Sequence, residues 1–142
     1  MIRSTCAIAI FLLLGGCGQL AAKYLDGEPS PLPEDFTHLD EFHACHLELT
    51  VGEKALRMNC FDLGGVLHIH TSRWAKLPRL GAENWAVTAR RSPEVRVQID
   101  DKVYELKAVP LDDENQRVAI LTDRGYWHAW DGIQIFSFVA RD

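Results

Sequence analysis

The sequence predicts a mainly β domain with two helices, in which six antiparallel strands curl into a barrel plugged by the helices. Two observations carry this prediction. Three pairs of alternating apolar and polar segments flank short turns at residues 52–53, 63–64 and 100–101, which is typical of hairpins. Two further segments carry helix signals, a stop at Ser92 and Pro93 and an acidic cap at Asp112 or Asp113. A single sheet in a domain of this size can bury its apolar face by closing around helices.

The first hairpin joins segments 42–51 and 54–61 across Gly52 and Glu53, a Gly-X pair typical of a type II′ turn. This register places Cys45 directly opposite Cys60, at a Cα separation that a disulfide can bridge. We therefore expect a Cys45–Cys60 disulfide. The absence of a Cys-x-x-Cys motif argues for a structural bond, and two buried free thiols are the alternative.

The second hairpin leads into Val66-Leu67-His68-Ile69-His70-Thr71-Ser72-Arg73-Trp74. With Leu63 and Gly64 at its tip, one face of the sheet carries two polar rows. The rows contain His46, Asn59 and His68, and Glu48, Arg57 and His70. The opposite face is predicted to form the core, with Cys45, Leu47, Leu49, Leu56, Met58, Cys60, Leu67, Ile69 and Thr71.

The third hairpin joins segments 94–99 and 102–108 across Asp100 and Asp101. It predicts two cross-strand ion pairs, Glu94 with Lys107 and Arg96 with Glu105, while Val95, Val97, Tyr104 and Leu106 point inward. The predicted helices span residues 82–91 and about 113–123, the second followed by Gly125 at its C′ position. The last strand is predicted at residues 133–139, so the order is β-β-β-α-β-β-α-β.

The N-terminus predicts an export signal. Arg3 precedes an apolar run too short to span a bilayer, and Leu14-Gly15-Gly16-Cys17 resembles a bacterial lipobox. The resemblance implies cleavage after residue 16 and lipidation of Cys17, and Gly18 in place of Asp favours the outer membrane, with the chain facing the periplasm. The predicted organisation is a signal peptide at 1–16, a lipidated flexible tether at 17–35 and a folded domain at 36–142.

The charge balance limits the partners. The formal net charge is −5, and loss of Arg3 with the signal peptide makes it −6. An acidic chain is a poor general binder of nucleic acid, so we expect none as a partner. An oxidising periplasm is also the compartment in which a Cys45–Cys60 disulfide would form.

One part of the chain resembles a known superfamily. The residues on which the resemblance rests are the segment from Leu67 to Arg73, Lys76, Asn84-Trp85-Ala86, and Ser92-Pro93-Glu94-Val95 with Val97. The resemblance extends to about Asp123. They resemble the split β-barrel flavin-binding superfamily, of the pyridoxamine-phosphate-oxidase-like and deazaflavin-dependent nitroreductase-like kinds. The resemblance implies a six-stranded split barrel, a homodimer and an FMN or deazaflavin cofactor for redox chemistry. The Gly-rich loop of the deazaflavin enzymes is missing, which leaves two alternatives open: an enzyme with this cofactor, and a barrel without a cofactor.

The resemblance places the cofactor phosphate at Thr71, Ser72, Arg73 and Lys76. Arg79 extends this basic run, which contains no acidic residue between Asp62 and Glu83, and it precedes a helix N-terminus, where anions are favoured. Trp74 and Trp85 are candidates to flank a cofactor ring. The alternative is a solvated basic loop with its tryptophans packed on the core.

Two further functions stay open. The first is a haem or metal site, because His68 and His70 share a strand face about 7 Å apart, a spacing that strand metal sites use. His46 and Glu48 lie two strands away, too far to complete such a site on a flat sheet. The other is a non-enzymatic binding or interaction lipoprotein with a degenerate barrel. No catalytic residue can be assigned.

Overall fold

The computed structural model describes residues 23–71, 85–126 and 132–142. Within them, six strands form one closed antiparallel barrel, which confirms the predicted architecture of a mainly β barrel with two helices. The elements are β1 (His43–Glu48), β2 (Leu56–Leu63), β3 (Val66–His70), α1 (Trp85–Arg91), β4 (Glu94–Ile99), β5 (Lys102–Pro110), α2 (Glu114–Asp123) and β6 (Ile135–Ala140). The strand order is β1-β2-β3-β6-β5-β4, and β4 pairs with β1 to close the ring.

The predicted register of the third hairpin is confirmed. Glu94 lies opposite Lys107, and Arg96 lies opposite Glu105. Asp100 adopts a positive φ of 54° at the turn, a conformation that aspartate tolerates better than most residues. The residues predicted to point inward, Val95, Val97, Tyr104 and Leu106, are all buried.

The predicted register of the first hairpin is wrong by two residues. Cys45 lies opposite Met58, not Cys60, and His43 lies opposite Cys60. The turn is centred on Val51 and Gly52, since Glu53 N donates to Thr50 O at 3.0 Å. Gly52, at φ 86°, is the second central residue, as a type II turn requires. The turn is therefore centred one position before the predicted pair, Gly52 and Glu53.

The predicted register of the second hairpin is also wrong by two residues. His68 lies opposite Phe61, not Asn59, and the tip is formed by Gly64 and Gly65. Both glycines have positive φ, 62° and 85°, which matches the type I′ turn that fits the twist of a hairpin. A slip of two residues keeps every side chain on its face, so the predicted core face survives both errors.

The helices and the last strand lie close to the predicted positions. Asp113 caps α2 by accepting a hydrogen bond from Gln116 N at 2.8 Å, and Gly125 follows with φ 84°. The predicted start of the first helix at residue 82 lies outside the described residues, but its end at Arg91 is confirmed. The last strand begins two residues later than predicted. Neither helix in the described residues is long and apolar enough to span a bilayer.

The barrel interior holds the main core. Its members are apolar side chains from all six strands, joined by Ala86 and Ala89 of α1 and by Phe36 and Leu39. The expected disulfide is present between Cys45 and Cys60, at a Cα–Cα separation of 6.0 Å. The two cysteines are diagonal neighbours on the inner face and fully buried, so the bond joins β1 to β2 inside the core.

Residues before Phe36 also contact the barrel, although the sequence assigned them to a tether. Lys23 and Ala55 exchange backbone hydrogen bonds at 2.7 and 3.3 Å, and Ser30 N donates to Val103 O at 2.7 Å. Leu25 is buried in a small apolar cluster with Ala55 and Val103. The folded unit therefore includes residues down to Lys23, while the signal peptide and Cys17 lie outside the described residues.

Candidate functional site

Thr71 directly follows β3 and is fully buried. Its backbone N donates to Gln134 O at 2.9 Å, and its hydroxyl accepts from Gln134 N at 2.9 Å. The same hydroxyl donates to Gly132 O at 3.4 Å. These bonds tie the end of β3 to the residues that lead into β6. The hydroxyl predicted to contact a phosphate thus has structural partners, and it fixes the point from which the next segment starts.

Of the other residues predicted to contact a cofactor, the structure describes only Trp85. Ser72, Arg73, Trp74, Lys76 and Arg79 lie outside the described residues. Trp85 is the first residue of α1 and packs half-buried on the core, with its ring 5.2 Å from that of Phe136. Trp85 therefore packs on the barrel core.

His68 and His70 lie on the outer face of β3, and the Nδ1 atom of each ring bonds to a backbone carbonyl. His68 Nδ1 is 2.8 Å from Val66 O, and His70 Nδ1 is 2.9 Å from Thr71 O. A carbonyl only accepts, so in both rings Nδ1 carries the proton and donates it. In a neutral ring Nε2 then keeps its lone pair. Among the described residues, neither Nε2 has a hydrogen-bond partner.

Burial keeps both rings neutral. It lowers the pKa of His68 below the ordinary histidine value, and the nearby charge of Arg124 lowers it further. Burial likewise lowers the pKa of His70, with Arg124 again acting in the same direction. The hydrogen bonds to backbone carbonyls oppose these shifts without reversing them. Both imidazoles are therefore in the form that can accept a hydrogen bond or bind a metal.

Three further side chains complete what we call the histidine face: Phe61, Arg124 and Tyr126. The Phe61 ring lies 5.5 Å from His68 and 5.8 Å from His70, and Tyr126 meets His70 edge-on at 4.9 Å. Phe61 also belongs to a second apolar cluster that contains Leu121 of α2, and Tyr126 packs against that cluster. The outer face of β3, predicted to be a polar surface, therefore contacts aromatic side chains of β2 and of the segment that follows α2.

Arg124 places a positive charge on the histidine face. Its guanidinium carbon lies 3.7 Å from the centroid of the Phe61 ring, close enough for a cation–π interaction. One of its terminal nitrogens donates to Glu41 O at 3.1 Å. Its Nε is buried and has no hydrogen-bond partner in the described residues. Burial lowers the pKa of Arg124, although Glu41 opposes the shift.

The two predicted polar rows do not exist. His46 lies opposite Arg57, and Glu48 bonds to Arg96 on β4, so it does not pair with Arg57 as predicted. Glu48 and His68 are also buried, whereas Asn59 and Arg57 are exposed. The cause is the two-residue error in each register, together with closure of the barrel, which brings β4 beside β1.

The structure offers no complete metal site in the part of the chain that it describes. No group of three or more His, Cys, Asp or Glu side chains lies close enough together there. His68 and His70 supply two ligand atoms on one face. A third ligand is not found among the described residues.

Two functional features were missed from the sequence. Arg124 follows a predicted helix end, and its sequence position alone gives no sign that it stacks on a β2 phenylalanine. Arg96 was assigned to Glu105 alone, because the pairing of β4 with β1 could not be deduced from hairpin registers. The one usable signal was Glu48, an acidic residue in a strand otherwise rich in buried positions, which needs a cationic partner.

No protein-family model matches this chain, and a search of curated proteins finds no match.

Proposed function

We propose that this chain is a lipoprotein of the outer membrane that faces the periplasm, anchored by acyl chains on Cys17, with its barrel serving as a binding module. One observation supports this location most strongly: a disulfide between two fully buried cysteines inside the core. Such bonds form and persist in oxidising compartments and are rare in the cytosol. Together with the lipobox-like Leu14-Gly15-Gly16-Cys17, the disulfide supports export followed by lipidation.

The location is tested by the intact mass of the protein extracted from membranes. The expected result is a chain that begins at Cys17 and carries the mass of two or three acyl chains. Cys17→Ser should abolish the acyl mass and release the protein from the membrane fraction, while Cys6→Ser, within the signal peptide, should change neither. A membrane-extracted chain that keeps residues 1–16 would contradict the proposal.

The finer architecture that we propose is the split barrel of the flavin-binding superfamily. It is supported by closure of β4 on β1 and by a helix that follows β3. The ligand class that this architecture favours is a flavin or deazaflavin nucleotide, held at the segment after β3. Because the hydroxyl of Thr71 is already bonded to residues 132 and 134, its proposed role is to position that segment. Phosphate contacts would come from Ser72, Arg73, Lys76 and Arg79.

A titration with FMN tests the ligand class. A bound flavin absorbs near 450 nm, and native mass would show whether binding occurs in the proposed homodimer. Arg73→Ala with Lys76→Ala should weaken binding at least tenfold, since a hydrogen bond to a charged group contributes about 1.5–3 kcal/mol. Lys102→Ala with Lys107→Ala removes the same charge from β5 and should have no effect. A colourless protein that also ignores added flavin and deazaflavin would reject this ligand class and leave a non-enzymatic interaction module.

A metal or haem is the second candidate ligand, and one observation favours it. Both Nδ1 atoms of His68 and His70 donate to backbone carbonyls, which is how proteins commonly orient a histidine so that Nε2 can ligate. Titration with Zn²⁺ and with haem is the test. Binding that His68→Gln and His70→Gln each weaken at least tenfold would support this site, whereas binding unchanged in both variants would exclude it.

A further inference from the structure

The N-terminal segment of the described chain fixes one end of the barrel relative to Cys17. Lys23 is held beside Ala55, next to the turn between β1 and β2. The chain then passes Val103 at Ser30 and reaches Gly65 at Phe36, whose N donates to Gly65 O at 3.0 Å. Residues 23–36 therefore run along the outside of the barrel, from the end with the 50–53 turn to the end with the Gly64 and Gly65 turn.

This packing shortens the link between the lipid and the domain. If the folded unit began at Phe36, a fully extended chain from Cys17 could reach about 65 Å, at roughly 3.5 Å per residue. Lys23 is only the sixth residue after Cys17, which limits the reach to about 21 Å. A folded chain of this size has a diameter of roughly 35 Å. Given acylation of Cys17, on which this step depends, the end of the barrel beside Lys23 is held close to the bilayer.

The surface at that end, which we call the basal patch, combines exposed aromatic, apolar and basic side chains. It consists of Lys23, Tyr24, Val51, Lys54 and Arg57. Tyr24 is 57% exposed and Val51, at the tip of the turn, is 72% exposed. Lys54 Nζ lies 5.8 Å from the centroid of the Tyr24 ring. Lys23 and Arg57 lie close enough to His46 for their charges to lower its pKa, after the larger effect of burial.

The basal patch carries more basic than acidic side chains, whereas the chain as a whole has a formal net charge of −5. Three cations surround the turn, and Glu53 is the acidic residue within it. Tyrosine is enriched at the level of lipid head groups, and each lysine or arginine near an anionic membrane contributes about 1 kcal/mol of attraction. An exposed valine at a turn tip adds apolar area that can enter the interface.

We propose that the basal patch rests on the anionic lipid surface in which the acyl chains of Cys17 are inserted. The protein is then held in one orientation, with the β1–β2 turn toward the bilayer and the turns at Gly64 and Gly65 and at Asp100 and Asp101 away from it.

Hydrogen exchange on vesicles tests the orientation. The chain from Cys17 to the C-terminus is coupled through the Cys17 thiol to a maleimide lipid, because Cys45 and Cys60 are paired and do not react. The vesicles contain phosphatidylethanolamine and phosphatidylglycerol. The expected result is exchange at residues 50–54 at least threefold slower than in the uncoupled chain, with exchange unchanged at residues 64–65 and 100–101.

Matched variants separate the patch from general crowding at the membrane. Tyr24→Ser with Val51→Ser, and separately Lys54→Glu, should restore the exchange rate of the uncoupled chain. Val139→Ser is the control, since Val139 is an exposed valine on β6, the strand opposite β1 in the barrel. It should leave the protection intact, and vesicles of phosphatidylcholine alone should give weaker protection.

The outcomes distinguish this inference from the proposed location. Equal exchange at residues 50–54 in coupled and free chains, or protection of the distal turns, overturns the basal patch while leaving acylation untouched. Protection of residues 50–54 without lipid, accompanied by dimer mass, assigns the patch to a second copy and also overturns it. Absence of acyl chains on the membrane-extracted protein overturns the location, and the biological orientation with it.

Discussion

Glu48 and Arg96 lie opposite each other on β1 and β4, the strand pair that closes the barrel. Arg96 Nε donates to one carboxylate oxygen of Glu48 at 2.6 Å, and a terminal nitrogen donates to the other at 2.7 Å. Glu48 is 1% exposed, so its negative charge depends on Arg96 for compensation. We expect this bidentate pair to fix the register in which the barrel closes.

Arg96→Met should therefore lower the free energy of unfolding by about 3 kcal/mol or more, because it leaves a buried carboxylate without its partner. Urea unfolding followed by circular dichroism measures the change. Lys107→Met is the matched control: its bond to Asp142 is exposed, and such pairs contribute about 0–1 kcal/mol. The double variant Glu48→Gln with Arg96→Met should lose less stability than Arg96→Met alone. Equal costs for Arg96→Met and Lys107→Met would show that the pair does not stabilise closure.

The disulfide predicts a thiol pattern and a stability change. In a Cys17→Ser mature chain, unreduced protein should label no cysteine and reduced, unfolded protein should label two. Replacing Cys45 and Cys60 together by alanine should lower the free energy of unfolding by about 3 kcal/mol, since the bond closes a loop with a sequence separation of 15. Labelling of two thiols without reduction would contradict the disulfide.

Substitutions at the two glycines of the turn between β2 and β3 should lower the free energy of unfolding by different amounts. Gly65→Ala should destabilise by about 1 kcal/mol or more, because alanine is strained at φ 85° and its Cβ would meet Asp35 Cβ at 3.3 Å. Gly64→Asn should cost less, since asparagine tolerates φ 62° and the space around Gly64 is open. Thermal unfolding of both variants measures the difference. A larger loss for Gly64→Asn would mean that this turn is not centred on Gly64 and Gly65.

The histidine face predicts acid-sensitive stability. Burial lowers the pKa values of His68 and His70 in the folded chain. As pH falls below about 6.5, the unfolded chain takes up protons that the folded chain does not, so the folded state loses stability. The loss is at most about 1.4 kcal/mol per pH unit for each histidine.

Urea unfolding between pH 7.5 and 5 measures this slope. His68→Gln with His70→Gln should reduce it, leaving a remainder from His46, whose pKa burial also lowers. An undiminished slope in the double variant would show that the two imidazoles are not held neutral in the fold.

The parts of the fold that were predicted correctly depend on local signals. The third hairpin has two opposite-charge pairs that agree on one register, and Asp113 with Gly125 marks both ends of α2. The first two hairpins offer no such agreement, since the predicted register of the first sets Glu48 opposite Arg57, whereas Glu48 bonds to Arg96 on β4. Their apolar alternation is unchanged by a slip of two residues, so it identified the core face but not the partners within it. The alternation places Cys45 and Cys60 on the same face in either register, so the disulfide is predicted correctly although the two cysteines are diagonal neighbours and not opposite ones.

The sequence by itself determined the inward faces of the strands, the two helices and the pairing of the two cysteines, because each follows from local periodicity, caps or composition. Only the tertiary structure decided the closure of β4 on β1, which joins Glu48 to Arg96. It also decided the placement of Arg124 on Phe61 and of Lys23 beside Ala55. These contacts join residues far apart in the chain, and they depend on how the sheet closes and which outer surfaces are then covered. No periodicity within a single strand carries that information.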